Sequence, residues 1–212
     1  MKKILMCMHV IMMLIMTGRL VADQKRYDTG FAQKKLRIGD YAHGGVVFYL
    51  TLDGLHGLVV ATEDVAGTFQ WSPLGAENNV TNSNDLDSLP LYAGEEYPGQ
   101  KNTTAILNYY AANDNPYAAK AAATYSITID GVTYDDWFLP ATSELNLIYG
   151  MRDLLNVVFS EHGGNQLSSA RWSSNQPSTL SAHIGNFHND SYFFGTNTVK
   201  NIYLKVRPIR AF

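Results

Sequence analysis

Cysteine is all but missing from this 212-residue chain. The single one, Cys7, lies in the first segment together with six of the seven methionines. That segment has the layout of a secretory signal peptide: Lys2 and Lys3, an apolar run over residues 4–16, then Thr17, Gly18 and a closing Ala22, after which cleavage is expected. The run is shorter than the roughly 20 apolar residues a membrane-spanning helix needs. Residues 23–212 then contain no thiol, which excludes disulfides, thiolate metal sites, cysteine nucleophiles and redox motifs. An exported domain without disulfides must be held by its core, and this length suffices for one domain.

Other absences narrow the chemistry. No GxSxG, HExxH, GxGxxG or P-loop pattern occurs, and there is no collagen repeat, heptad run or internal period. The histidines after residue 22 are His43, His56, His162, His183 and His188; only His188 has an acid two places on, Asp190, and none forms an HxE pair. His183 and His188 lie five apart across an expected strand, hence on opposite faces, and His56 is read as a structural hydrogen-bonding residue. No enzyme is expected.

Charge is uneven. Residues 23–37 hold five basic and two acidic side chains, residues 171–212 five basic and one acidic, and residues 38–170 three basic and sixteen acidic. If the ends meet, they form a basic pole on an acidic body; otherwise these are scattered solvated charges.

Residues 23–35 are polar and aperiodic, a short linker or arm, and the domain proper is expected over 36–212. Residues 46–50 and 57–61 read as a hairpin around Asp53-Gly54. Residues 72–101, rich in Asn, Asp, Ser, Gly and Pro, are a long loop. A helix is expected from Thr103 or Thr104 to about Ala112, and a second, alanine-rich one follows Pro116 over 117–125. Residues 127–129 and 132–134 make a short hairpin around Asp130-Gly131. Pro140 introduces a helix with Leu145, Ile148, Met151 or Arg152, and Leu155 on one face and Glu144 in its first turn; Gly163-Gly164 ends it. Strands are expected at 171–174, 183–187, 192–194 and 199–207. On the last, Lys205 and Arg207 share a face and Lys200 takes the other. Strands, then helices, then strands indicate an α+β fold.

Six motifs in order carry a resemblance: Gly44-Gly45-Val46-Val47-Phe48-Tyr49, His56-Gly57-Leu58-Val59, Asp136-Trp137-Phe138-Leu139-Pro140, Glu144-Leu145-Asn146, Trp172-Ser173-Ser174, and Val206-Arg207-Pro208-Ile209-Arg210-Ala211-Phe212. Over about residues 38–212 the chain resembles the C-terminal domain family of the Legionella collagen-like adhesin. The resemblance implies a C-type-lectin-like fold: two helices packed on twisted antiparallel strands, a long loop region, and N- and C-terminal strands brought together. It also implies binding of sulfated glycosaminoglycans by a trimer. Formylglycine-generating enzymes have a similar fold, but their chemistry needs the cysteines this domain lacks. Three features depart from the family: no collagen stalk, an acidic net charge, and Ala141 where relatives tend to carry a capping Ser. The last leaves Thr142 or Ser143 to cap.

Together these readings describe an exported binding module, destined for the periplasm, the cell surface or the medium, that recognises a polysaccharide or host-surface glycan, sulfated or otherwise anionic. The expected ligand contacts are Arg171, Lys205, Arg207 and Arg210 of the basic pole, with Tyr192; Tyr92 and Tyr97 are further exposed candidates. The alternative is a protein partner or homo-oligomer bound through loops 72–101 and 176–197. No nucleic acid and no cofactor are expected. Gln176-Pro177-Ser178 with Asn189-Asp190 supplies one carboxylate, too few for calcium, and Asn82, Asn84, Asp85 and Asp87 read as a surface turn. Trp71, Trp137 and Trp172 are assigned to the core.

Overall fold

The computed structural model describes residues 35–73, 89–188 and 196–212. The leader, nearly all of the expected linker, Asn82, Asn84, Asp85, Asp87, Asn189, Asp190 and Tyr192 lie outside them. One compact unit spans Leu36–Phe212. The architecture is α+β, with three antiparallel sheets and four helices among the described residues.

The first sheet runs β1 (Tyr41–Ala42), β2 (Gly45–Leu50), β3 (Gly57–Val60) and β9 (Ile209–Ala211), in the order β1-β2-β3-β9. Its central hairpin is the one anticipated, with a bulge between Val47 and Tyr49. Residues 46–50 are apolar without alternation because both faces are covered. Val46, Phe48, Leu58, Val60 and Ile209 pack against helical Leu145, Ile148, Leu155 and Phe159. Val47, Val59 and Ala61 meet Trp137, with Ile127 and Tyr134 packed on the same cluster. Gly57 is required here, since a Cβ would fall 2.0 Å from the Tyr49 carbonyl oxygen.

The short hairpin β4 (Ile127–Ile129) and β5 (Val132–Tyr134) forms as expected, with Asp130 and Gly131 both at positive φ. A third sheet, β6 (Ala170–Trp172), β7 (Ser181–Asn186) and β8 (Asn197–Val199), carries Trp172, Ala182 and Ile184 into a second core with Trp71, Ile106, Tyr117 and Leu139. All three tryptophans are buried.

Three elements differ from expectation. Helix α1 is Pro98–Tyr109, beginning before Thr103. Pro98 pre-sets the first-turn backbone, and the Gly99 N–H finds an acceptor in Glu144 Oε1 at 3.3 Å. Thr103 is therefore free to bridge strand-like backbone: its hydroxyl accepts from Leu139 N at 3.0 Å and lies 3.3 Å from Leu139 O. The helix after Pro140 is two, α3 (Thr142–Gly150) and α4 (Arg152–Glu161), broken at Met151. The last strand is not continuous over 199–207. β8 stops at Val199, residues 204 and 205 make isolated bridges to Phe69 and Arg171, and pairing resumes only at Ile209. The alanine-rich helix α2 (Ala118–Ala123) stands where it was expected.

Candidate functional site

The basic residues assigned to ligand binding mostly face inward. Asp64, just beyond β3, lies at the centre of their contacts. Arg171 Nε and Nη2 donate to its two carboxylate oxygens at 2.7 and 2.9 Å, and Arg207 Nε donates at 2.8 Å. The remaining guanidinium donors reach Ser169 O and Gln166 O from Arg171, and Ala61 O and Asn165 from Arg207. Their planes lie over Phe187 and Phe159, at 5.4 and 4.9 Å from the ring centroids. Both arginines are fully buried. Burial alone would raise the Asp64 pKa, but Arg207 and Arg171 outweigh it and hold the carboxyl below its usual range. Burial pushes Arg207 down to about 10.

Arg171 and Arg207 are thus corrected from ligand contacts to core ion pairs. Arg210 is engaged as well: Nε donates to Asp136, Nη1 reaches His43 O at 3.4 Å, and the guanidinium covers Tyr134. Lys205 has the one side chain of the four with substantial exposure, 44%, and its Nζ is 3.5 Å from Asp64. The shared face of Lys205 and Arg207 is real but points at Asp64, while Lys200 runs the other way, over the Trp71 ring and onto Gln176 Oε1 at 3.1 Å. What the sequence could not display is the acceptor: Asp64 lies 107 residues from Arg171 and 143 from Arg207.

A second polar assembly lies at the helix starts. Ala141 occupies the N-cap of α3 without a side-chain oxygen, and neither Thr142 nor Ser143 replaces it. Glu144 turns back to accept the Ala141 N–H at 2.6 Å, and Asn175 Oδ1 accepts the Thr142 N–H at 2.8 Å. Thr142 Oγ1 instead meets Ser173 Oγ at 3.0 Å. Among the described residues, no group of three His, Cys, Asp or Glu side chains is placed to hold a metal ion. No helix among them is long and apolar enough to cross a membrane.

The exposed site is elsewhere, where three segments converge: the turn between β2 and β3, residues 92–100, and the end of β9. They enclose a cleft of about 210 Å³ lined by His56, Tyr92, Glu95, Tyr97, Gln100 and Phe212, among others. The loop is anchored by Tyr49, whose hydroxyl donates to Pro90 O at 2.6 Å, and by the Leu52 N–H on Leu91 O at 3.0 Å. Gly94, at φ +88°, turns the chain so that Glu95 joins the wall. Tyr97 is buried, contrary to expectation, packed edge-on against Tyr49. Burial pushes its hydroxyl up to about 12. Tyr92 stands 63% exposed.

Asp53 fixes one wall. Its carboxylate accepts from Thr51 Oγ1 at 2.6 Å and from the Leu55 N–H at 2.9 Å, bonds that hold it well below the usual carboxylate range, and His56 Nδ1 is 3.1 Å away. With Nδ1 engaged by Asp53, His56 has Nε2 left for a ligand in the cleft. Leu52, Leu55 and Leu91 are exposed beside it. Two other hollows, about 300 Å³ over Tyr149–Leu154 and about 510 Å³ along Asp153–Gln166, follow α4 and its flanks. Their one aromatic ring, Tyr149, is already engaged by Arg152 and Phe187.

No protein-family model matches this chain, and no curated protein does. Among solved structures it is similar to a fimbrial protein from Bacteroides ovatus, with a TM-score of 0.55 and 14% identity. The likeness covers 82% of this chain and 48% of that one, so the chain spans about half the length of its structural neighbour. At that identity the likeness is one of fold.

Proposed function

We propose that the chain is a surface-exposed, non-catalytic binding module that recognises a polysaccharide in the cleft beside Tyr92. The observation that carries this reading is an exposed aromatic side chain beside hydrogen-bonding groups that line the same cleft. A sugar ring offers an apolar CH face for Tyr92 and hydroxyls for His56, Gln100 and Glu95. The non-catalytic reading draws support from the two buried carboxylates: Asp64 is engaged by Arg171 and Arg207, Glu144 by backbone N–H groups. The neighbour's description as a fimbrial protein, and the leader-like residues 1–22, support a place outside the cytoplasm.

We further infer a C-type-lectin-like domain of the Legionella adhesin C-terminal family. The joining of β9 to the first hairpin and the long connection between β3 and α1 support that assignment. The site is moved from the basic pole to the cleft. A second reading, a protein partner, draws on the exposed Leu52, Leu55 and Leu91 at the cleft rim.

The test is a glycan array probed with the purified protein, Tyr92→Ala and Lys205→Gln, at low and physiological salt. The expected outcome is a defined set of glycans retained at both salts, lost with Tyr92→Ala and unaffected by Lys205→Gln. A blank array from folded protein sinks the reading and passes the site to a protein partner. Binding that needs Lys205 and fades with salt returns the site to the basic residues.

A further inference from the structure

The one side-chain carboxylate among the residues that line the cleft is Glu95, and it is the feature that sets the cleft's charge. Glu95 contributes a carboxylate, and among the described residues no ion pair occupies it. His56 contributes its second ring nitrogen, Nε2, since Nδ1 is engaged by Asp53 at 3.1 Å. Tyr92 contributes a ring face, which carries the negative end of the aromatic quadrupole. No lysine or arginine is part of the lining. The nearest basic residue on β9, Arg210, leaves the strand on the opposite side from Ala211, toward Asp136 and Tyr134. Just outside the lining, Asp53 behind His56 and Glu96 after Glu95 are acidic and Lys101 after Gln100 is basic, so the side-chain charge within the lining itself is that of Glu95.

Such a wall, with one side-chain carboxylate and no lysine or arginine, disfavours sulfate and carboxylate. It favours a ligand that is positively charged. The volume sets the size: a cavity of about 150 Å³ holds benzene, so about 210 Å³ takes one six-membered ring. Resting on the saccharide reading above, we propose that this cleft selects a hexosamine unit bearing a free, protonated amine, with the ring on Tyr92 and the ammonium toward Glu95. The ligand class is then a de-N-acetylated amino-sugar polymer, the opposite in charge of a sulfated glycosaminoglycan.

The experiment measures affinity at physiological salt for three probes: a glucosamine hexamer, an N-acetylglucosamine hexamer and a heparin hexasaccharide. A lysine hexapeptide serves as a fourth, non-saccharide cation. Wild type, Tyr92→Ala and Glu95→Gln are compared, with circular dichroism confirming their fold. The glucosamine hexamer is expected to bind up to about fivefold tighter than its acetylated form, the effect of one exposed ion pair with Glu95. Glu95→Gln is expected to erase that preference while leaving the acetylated hexamer's affinity in place. Equal binding of both hexamers through Tyr92 overturns the charge selection and leaves the saccharide reading standing. Neither hexamer binding overturns both. Preference for heparin, a glucosamine preference that survives in Glu95→Gln, or a lysine peptide bound as tightly as glucosamine also overturns the proposal.

Discussion

At the scale of single residues, the chemistry of this protein turns on what each charge faces. Asp64 accepts from two arginines that are fully buried, so removing its charge leaves two desolvated cations. Asp64→Asn is expected to cost about 3–5 kcal/mol in urea unfolding, because an unpaired buried charge is the costly outcome. The same pair makes an acid limit. The folded pKa of Asp64 lies below its unfolded value, so its contribution is complete above about pH 4 and is lost as pH falls through the folded value. Lys200 acts at the other end of the pH range. Burial lowers it to about 8, against about 10.4 in an unfolded chain. Between those values the unfolded chain binds a proton that the folded chain does not, so stability rises with pH across that window. Wild type should gain on Lys200→Met in urea midpoint between pH 8 and 10; parallel midpoints for the two proteins contradict this.

At the scale of elements, the helix starts are held from a distance. α1 and α3 both begin on Glu144, whose two oxygens accept from Gly99 and Ala141. A glutamine there keeps the shape but has one oxygen instead of two, so one buried N–H loses its acceptor. Glu144→Gln is expected to destabilise by about 1–3 kcal/mol, read as a lower thermal midpoint with the helical signal retained below it. Gly99 belongs to the same arrangement, since a Cβ would lie 2.3 Å from Glu144 Oε2 and 2.7 Å from Leu139 O. The motif Glu144-Leu145-Asn146 was visible in the sequence, and the first-turn glutamate of α3 with it. Its second task at α1 was not, because Gly99 and Glu144 are 45 residues apart. Thr103 looked like a cap for the same reason that it serves as a bridge to Leu139: a short hydroxyl beside backbone works in either role.

At the scale of the whole molecule, the last strand closes the first sheet. Ile209 is fully buried, exchanges hydrogen bonds with Phe138 at 2.9 and 3.1 Å, and pairs through β9 with β3. Deleting residues 209–212 exposes the edge of β3 and one face of the core beneath it. The truncated protein is expected to lose its near-UV circular dichroism and most of its soluble yield. A cooperative urea transition in the truncated protein would show that β9 is an accessory strand. The cleft depends on the same closure, because Ala211 and Phe212 form one of its walls.

Local signals were enough for the hairpins at Asp53-Gly54 and Asp130-Gly131, the alanine helix behind Pro116, the burial of Trp71, Trp137 and Trp172, and the α+β class. Each follows from side-chain period, β-branching or turn residues within a few positions. Charge was where the sequence misled. Arg171, Lys205 and Arg207 count as a basic run until Asp64 is brought among them, and an ion pair between distant residues leaves no local trace. Tyr92 and Tyr97 look alike as loop tyrosines, yet one is exposed and the other packed on Tyr49. Neighbours along the chain are enough to place the hairpins and the alanine helix, because turn residues and side-chain period act over a few positions. The start of α1, the break at Met151, the charges that face solvent and the opening of the cleft depend on residues that meet across the whole fold, so they follow from tertiary packing.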